Sequence, residues 1–392
     1  MRVGAFILAA QFPGQGQAEA LHRAVRTAET AEEAGLDAVW LAEHHFVPYG
    51  VCPSATTLAA LLLGRTRRIG VGTAVSVLST THPVALGEQA ALLHLASGGR
   101  FTLGVGRGGP WVDLEVFGTG LEAYERDFPE ALDLLLRWLR EPRVGASGRR
   151  FSFREVAVVP RPREPLDAVG TPLAGCPAAA GPAAVAADRT RHAAVPTPGP
   201  AGRAAAPTAL APGADPVDGP AVIVACTSPK TVRLAAEHGL PMLLGMHCDD
   251  AEKAELTALW RRHARAAGHS PEYVAATAGQ HVSAGVVQVA DGRPEAAEVL
   301  TKAMPGWLRQ GLDAHVTVDG RRRAMRDPVA YTELLCSLHP VGPPRLCADR
   351  LAATAERTGI TRFALLAEGS GDLAATEENV RRLGVEVLPL LH

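Results

Sequence analysis

The sequence predicts an α/β fold: one (β/α)8 barrel of the TIM type, broken by a single long insertion. Three observations predict it. Short apolar, β-branched runs alternate with segments of helical period, the pattern of a parallel sheet covered by helices. Eight such runs can be counted, at 3–8, 37–42, 69–75, 101–106, 221–225, 241–244, 280–289 and 361–367. Residues 161–219 leave the pattern: Pro, Ala and Gly fill 36 of these 59 positions, and Phe, Tyr, Trp and Ile are absent. Such a segment cannot bury enough apolar surface to offset its ordering entropy, so it reads as a disordered insertion. The 333 residues outside it suit one barrel with loops, and residues 1–392 are read as one domain.

The elements follow in order. Val3–Leu8 is a buried strand; the apolar N-terminus lacks a cleavage-like site, which argues against a signal peptide. Leu21, Ala24, Val25, Ala28 and Ala31 recur at helical spacing and predict a helix over 18–34. Gly35 suits its C-terminus, and Asp37–Ala42 is the next strand. Thr56–Gly64 is helical, Ile69–Val77 is β-rich, and Pro83 opens a helix to Ala96. Arg100–Gly106 is a strand that runs into the glycine-rich RGGPWVDLEVFG, and Phe128, Ala131, Leu132, Leu135 and Leu139 mark a helix. Beyond the insertion, strands at 221–225, 241–244 and 280–289 alternate with helices at 232–238, 250–266 and 294–309, the last with Pro305 near its end. Residues 311–330 read as a basic loop, Pro343 opens a helix, and a strand at 361–367 precedes the closing helix at 373–383.

A formal net charge of −2 offers no electrostatic case for nucleic acid or an anionic membrane. No apolar run approaches the roughly 18 residues of a membrane span. Six cysteines without a CxxC pair suit free thiols in a reducing cytoplasm.

Chemistry concentrates in LDAVWLAEHHF at 36–46, where Glu43, His44 and His45 end a strand. In a closed parallel barrel, the carboxyl ends of the strands carry the active site. A metal site built on these three is disfavoured, because neighbours in an extended segment point apart and no third ligand is evident. Gly104, Gly106 and Gly109 spell GxGxxG, but PWVDLEVFG follows instead of an apolar helix, so a dinucleotide fold is set aside. Thr227, Ser228 and Thr231 lie between a strand and a helix, where backbone N–H groups and hydroxyls form an anion site or, more simply, an N-cap.

Several motifs together resemble the bacterial luciferase-like family of flavin-dependent monooxygenases, most closely its catalytic luciferase subunits. They are WLAEHHF at 40–46, VGTAVSVLSTTHPV at 71–84, GRFTLGVGRG at 99–108, VFGT at 116–119, LAAEHGLPM at 234–242, HPVGPP at 339–344 and TGITRF at 358–363. The resemblance covers residues 1–160 and 220–392. It implies a reduced flavin, FMNH2, at the strand ends, supplied by an NAD(P)H-dependent flavin reductase and used with dioxygen to oxidise a small organic substrate, such as an intermediate of specialised metabolism. It makes His44 the catalytic histidine, Arg107 the grip on the flavin phosphate, and the turn with Thr227, Ser228 and Thr231 a second phosphate contact. Ala74 and Val75 match a non-proline cis peptide under the flavin ring. Glu43, Gly106, Val224 and Cys226 complete the implied cofactor site, with Val75, Val105 and Val224 giving the ring a dry pocket. The resemblance also implies a dimer, here a homodimer through the helices at 55–64 and 83–96, with Glu88 approaching His45 of the second copy.

The chain departs from luciferase in places. Gly106 stands for a cysteine, and Cys226 for an acidic residue. Glu125, with Arg126 next to it, stands for a second phosphate-binding arginine, and 291–342 is shorter. A deazaflavin-dependent hydride-transfer enzyme on the same barrel is the competing reading, with the insertion and Arg321–Arg323 as room and charge for a longer cofactor tail. A non-catalytic flavin-binding partner subunit is a third, disfavoured by His44 and Arg107.

Overall fold

The protein is described from a computed structural model that covers residues 1–162, 219–321 and 326–391. Most of the 161–219 insertion, and Arg322 and Arg323, lie outside the described residues. Eight parallel strands make the barrel: β1 Arg2–Ile7, β2 Ala38–Leu41, β3 Gly70–Thr73, β4 Phe101–Gly106, β5 Ala221–Cys226, β6 Met242–Leu244, β7 Val282–Val286 and β8 Arg362–Leu366. Around the ring they run β3-β2-β1-β8-β7-β6-β5-β4, and β3 pairs with β4 through Val71–Phe101 and Gly72–Thr102 to close it. Each of the eight expected runs supplies one barrel strand, and the run at 280–289 also supplies Gln288–Val289, which pairs outside the barrel with Val341–Gly342.

Strand alternation sorts the side chains into two layers. Phe6, Trp40, Ile223, Ala284, Ala364 and Leu366 fill the barrel interior. Val39, Leu41, Val105, Val224 and Leu365 face the helices. Trp40 needs glycine neighbours: a Cβ on Gly72 would lie 2.5 Å from its ring, and one on Gly4 would lie 3.1 Å from it. Gly104 is needed for a different reason, since a Cβ there would meet the Thr73 carbonyl oxygen at 1.9 Å. The Thr73 hydroxyl donates to the Gly104 carbonyl at 2.7 Å and accepts its N–H at 2.9 Å, so side chain reinforces the β3–β4 seam.

Several elements were not read from the sequence. Strands Arg143–Ser147 and Ser152–Ala157 form an antiparallel hairpin, Pro271–Ala278 is a helix, and Pro328–Leu338 is another that starts at the end of the 311–330 stretch read as loop. The last carries a legible start: Asp327 accepts the Ala330 N–H at 2.8 Å, with Pro328 in the first turn. The helix read as 294–309 spans Arg293–Asp313 with Pro305 inside it. Among the described residues no helix is long and apolar enough to cross a membrane.

A buried ion pair ties the loops that follow β1 and β8. Arg23 donates to the Gly371 carbonyl at 2.7 Å, to Gln15 at 2.9 Å and to the Ala10 carbonyl, and its Nε is 3.7 Å from Glu368. Glu368 accepts the Leu8 N–H at 2.8 Å, and both side chains are essentially inaccessible. Removing one partner strands the other charge, so Arg23→Met should lower unfolding free energy by about 3–5 kcal/mol, read by denaturant titration.

Two fully enclosed histidines set an acid limit. His281 Nδ1 accepts the Met242 N–H at 3.0 Å, and burial pushes its pKa down to about 3. His339 donates from Nε2 to the Met246 carbonyl at 2.6 Å and is pushed down to about 4, burial again the main cause. Both favour the neutral form when folded, whereas unfolded histidine titrates near 6.5. Their stabilisation is therefore complete above about pH 6.5 and lost as pH falls toward 4 and then 3. The denaturation midpoint should drop between pH 7 and 4.5, and the drop should be shallower in His281→Gln.

Candidate active site

A cavity of about 690 Å³ opens at the carboxyl ends of β2 and β3. Ala42, Glu43, His44 and His45 line it from the end of β2, and Ala74 and Val75 from the end of β3. The Ala74–Val75 peptide is cis, at the position the resemblance implied.

Successive residues at the end of β2 have different duties. Glu43 accepts the Val77 N–H at 3.0 Å through Oε1 and the Ala55 N–H at 3.2 Å through Oε2. It therefore ties the strand to the segment after the cis bond and to the start of the next helix. His44 packs edge-on to Tyr49 at 5.1 Å between ring centroids, and its buried Nδ1 has no hydrogen-bond partner among the described residues. A Cβ on Gly50 would lie 2.7 Å from that nitrogen, so glycine makes the room the ring occupies. Burial first, then the nearby His315 and His45, pushes the His44 pKa down to about 3. The imidazole is thus neutral across the physiological range. His45 Nε2 lies 3.6 Å from Glu43, and its ring meets Phe117 edge-on at 5.0 Å.

A second cavity of about 310 Å³ adjoins the first, with Tyr124 lining both. Arg107, Ser228, Lys230 and Thr231 line it, and the Arg107 guanidinium sits 4.2 Å from the Tyr124 ring centre. Ser228 caps the helix Pro229–Glu237, accepting the Thr231 N–H at 3.4 Å, while the two hydroxyls lie 2.7 Å apart. The N-cap that forms and the candidate anion site share one local structure, a helix N-terminus with two hydroxyls, beside Arg107, Lys230 and Arg233 and also Glu125 and Glu237. Glu125 lines this cavity too, whereas Arg126 pairs with Asp127 at 3.6 Å.

Other sequence candidates stand apart from both cavities. Val105, Val224 and Cys226 are fully buried in the helix-facing layer, and burial pushes the Cys226 thiol well up. Thr227 is exposed, and Glu88 is exposed on the helix Pro83–Ala96. Gly106 acts indirectly, because a Cβ there would meet Val75 Cγ2 at 2.5 Å. Among the described residues no group of three His, Cys, Asp or Glu side chains could hold a metal ion.

Tyr49, Trp111, Asp113, Tyr124 and His315 are among the cavity residues not singled out from sequence. The loop after β4 and the segment near 317 meet in an antiparallel bridge, Val112 N–H to Val316 carbonyl at 2.9 Å and Val318 N–H to Pro110 carbonyl at 2.9 Å. This pairing roofs the cavity across roughly 200 residues of sequence, so no local pattern announces it. The aromatic and acidic residues of PWVD, following a barrel strand, were the one available signal.

A histidine-lined cavity and a second cavity lined by Arg107, Lys230 and Arg233 together with Glu125 and Glu237 lie side by side at the carboxyl-end face of the (β/α)8 barrel. The model of the luciferase-like monooxygenase family matches residues 1–362, and the chain belongs to that family. The alkanal monooxygenase alpha chain of Photorhabdus luminescens is 25% identical over all of this chain and 97% of its own length. The oxygenating constituent of 3,6-diketocamphane monooxygenase from Pseudomonas putida, solved with FMN, shares the fold at TM-score 0.67 and 19% identity, over 100% of this chain and 99% of that one. An F420-dependent secondary alcohol dehydrogenase, solved with an F420–acetone adduct, shares it at 0.66 and 15%, with the same coverage of 100% and 99%.

The Val75–Gly106 contact gives a test. Gly106→Cys should lower the melting temperature because the β-branched Val75 cannot swing clear. Val75→Ala in the same chain should recover most of the loss, and a thermal melt of the two single variants and the double variant measures the coupling.

Proposed function

We propose that the protein is a two-component monooxygenase that takes reduced FMN from a separate NAD(P)H-dependent flavin reductase and uses dioxygen to oxidise a small organic substrate. The junction of the two cavities at Tyr124 is the observation that carries this reading. FMN has a planar ring, a flexible ribityl chain and one terminal phosphate. The first cavity offers the ring a floor at Ala74 and Val75, and the second offers the phosphate Arg107, Lys230 and the 228–231 helix start. His44 lines the first cavity, and its Nδ1, enclosed beside Gly50, has no hydrogen-bond partner among the described residues. The cavity size falls within the roughly 300–1,000 Å³ usual for ligand pockets.

Bound reduced flavin supplies the electrons that activate dioxygen for transfer of one oxygen atom to substrate. The chain's own part is position and exclusion. Arg107 and the capped helix would hold the phosphate end, and Val75, with Gly106 behind it, would support the ring. The roof bridge limits water at the reacting face. His44, neutral because it is buried, can accept a proton or hydrogen-bond there without bringing a charge.

His44→Ala should bind reduced FMN within a few-fold of wild type yet lose substrate oxidation by about 10²–10⁴-fold. Anaerobic titration separates the two effects from turnover. Wild-type turnover in the variant would make His44 structural only. Tight binding of a reduced deazaflavin without binding of FMN would instead support the hydride-transfer reading.

The reading extends to assembly and place. Leu61 and Leu92 are 49% and 58% exposed on the helices Ala55–Arg65 and Pro83–Ala96, which supports a homodimer through them with Glu88 reaching His45 of the second copy. The five described cysteines are all free thiols, in keeping with a reducing cytoplasm. Light scattering at micromolar concentration should give twice the chain mass; a monomer would refute the dimer.

A further inference from the structure

We propose that His315 is a second proton-handling residue of this cavity, and that it serves a planar substrate bearing an acidic hydroxyl, a phenol or an enol. The proposal rests on reading the cavity as a flavin-dependent oxygenation site and adds to it the class of substrate.

The geometry begins at Gly311. Its carbonyl oxygen lies 3.0 Å from His315 Nδ1, so the neutral ring carries its proton on Nδ1, where it can donate. Nε2 is then an acceptor, on a ring that lines the cavity. The same glycine packs against Tyr49, since a Cβ on it would lie 2.8 Å from the Tyr49 Cα. One backbone position thus fixes both the tautomer of His315 and the place of the aromatic wall beside it.

That wall is planar and braced. Tyr49 stacks on Trp307 at 4.7 Å and 11°, Trp307 stacks on Phe12 at 5.5 Å, and Trp307 Nε1 donates to the Tyr49 carbonyl at 3.0 Å. Trp111 meets His315 at 4.7 Å, and a Cβ on Gly109 would strike the Trp111 ring at 2.1 Å, so Trp111 folds down on its own loop. Rigid aromatic faces favour a flat guest. An acceptor nitrogen among them selects a guest that donates; an aldehyde or ketone oxygen can only accept and would leave Nε2 unmatched.

The charged and titratable groups around His315 come from three elements. Burial holds the His315 pKa below the usual imidazole value, and the Gly311 and Leu312 carbonyls and then Asp113, buried at the start of the helix Asp113–Val116, oppose it. His44 and Tyr49 face the cavity from the loop after β2, and Asp313 and Arg321 line it from the segment that carries His315. The step itself is a proton transfer. The substrate O–H bond breaks, an N–H bond forms at Nε2, and imidazolium and oxyanion remain together beside Asp113 with no electron moved. The resulting phenolate or enolate has an electron-rich ring or α-carbon, the form that accepts an electrophilic oxygen atom.

The test uses 4-nitrophenol, whose neutral and ionised forms absorb at different wavelengths, and 4-nitroanisole, which has the same ring without the hydroxyl. Both are titrated into the FMN-bound protein from pH 5 to 8. In wild type, the phenol should bind about tenfold or more tightly than the anisole, and its apparent ionisation should shift to lower pH on binding. His315→Phe should erase both effects while leaving FMN affinity unchanged. His315→Gln should recover part of the affinity but not the ionisation shift, which a purely structural histidine would not do. Equal binding of phenol and anisole by wild type would overturn the proposal even if no variant folds, as would an unchanged ionisation shift in His315→Phe. Failure to bind FMN at all would count against the flavin reading instead, and the phenol–anisole comparison on the protein alone would still decide the role of His315.

Discussion

The candidate site depends on a carboxylate that binds backbone. Glu43 uses its two oxygens to hold the N–H groups of Val77 and Ala55, and so joins the end of β2, the segment beyond the cis Ala74–Val75 bond and the start of the helix Ala55–Arg65. Three independent pieces of chain are held at one point. Glu43 is committed to this tie, and the neighbouring His44 and His45 line the cavity, each with one enclosed ring nitrogen that has no hydrogen-bond partner among the described residues. A negative charge at a helix start is also favourable by itself, which adds to the stability of the arrangement.

From that point the site divides by charge. In the larger cavity burial favours the neutral forms of His44 and Tyr49, the tyrosine hydroxyl being pushed above its ordinary range, while Asp313 and Arg321 line the same cavity. The smaller cavity gathers Arg107 and Lys230 beside the positive end of a helix. A ligand with an uncharged planar end and an anionic end therefore has one favourable orientation. Tyr124, shared by both cavities and covered by the Arg107 guanidinium, marks where the two cavities meet. The bridge between 110–112 and 316–318 brings His315 to the larger cavity.

The barrel was legible because strand identity rests on local periodicity, and the eight apolar runs kept theirs. Direction was harder to read. Val75, Val105 and Val224 all end strands, yet only Val75 lines the cavity; the other two face the helices, because one residue of register turns a side chain to the opposite layer. The exchange of cysteine for Gly106 looked like a departure in chemistry, and the structure makes it one of volume, since Val75 fills the space. His44 and Arg107 were readable through their motifs. His315 was not, since its place depends on a long-range bridge and on the Gly311 carbonyl. The helix Pro328–Leu338 was readable from Asp327–Pro328 and was passed over because the basic residues before it suggested a loop.

The central claim is that the paired cavities bind a flavin by its single terminal phosphate. Anaerobic titration with reduced FMN and with reduced riboflavin, which lacks only the phosphate, tests it most directly when repeated on Arg107→Ala. A charge-assisted phosphate contact is worth about 1.5–3 kcal/mol, so wild type should prefer FMN by roughly ten- to a hundredfold or more, and the variant should lose most of that preference by weakening FMN alone. Equal affinity of wild type for the two flavins, or a preference unaltered by the substitution, would contradict the account.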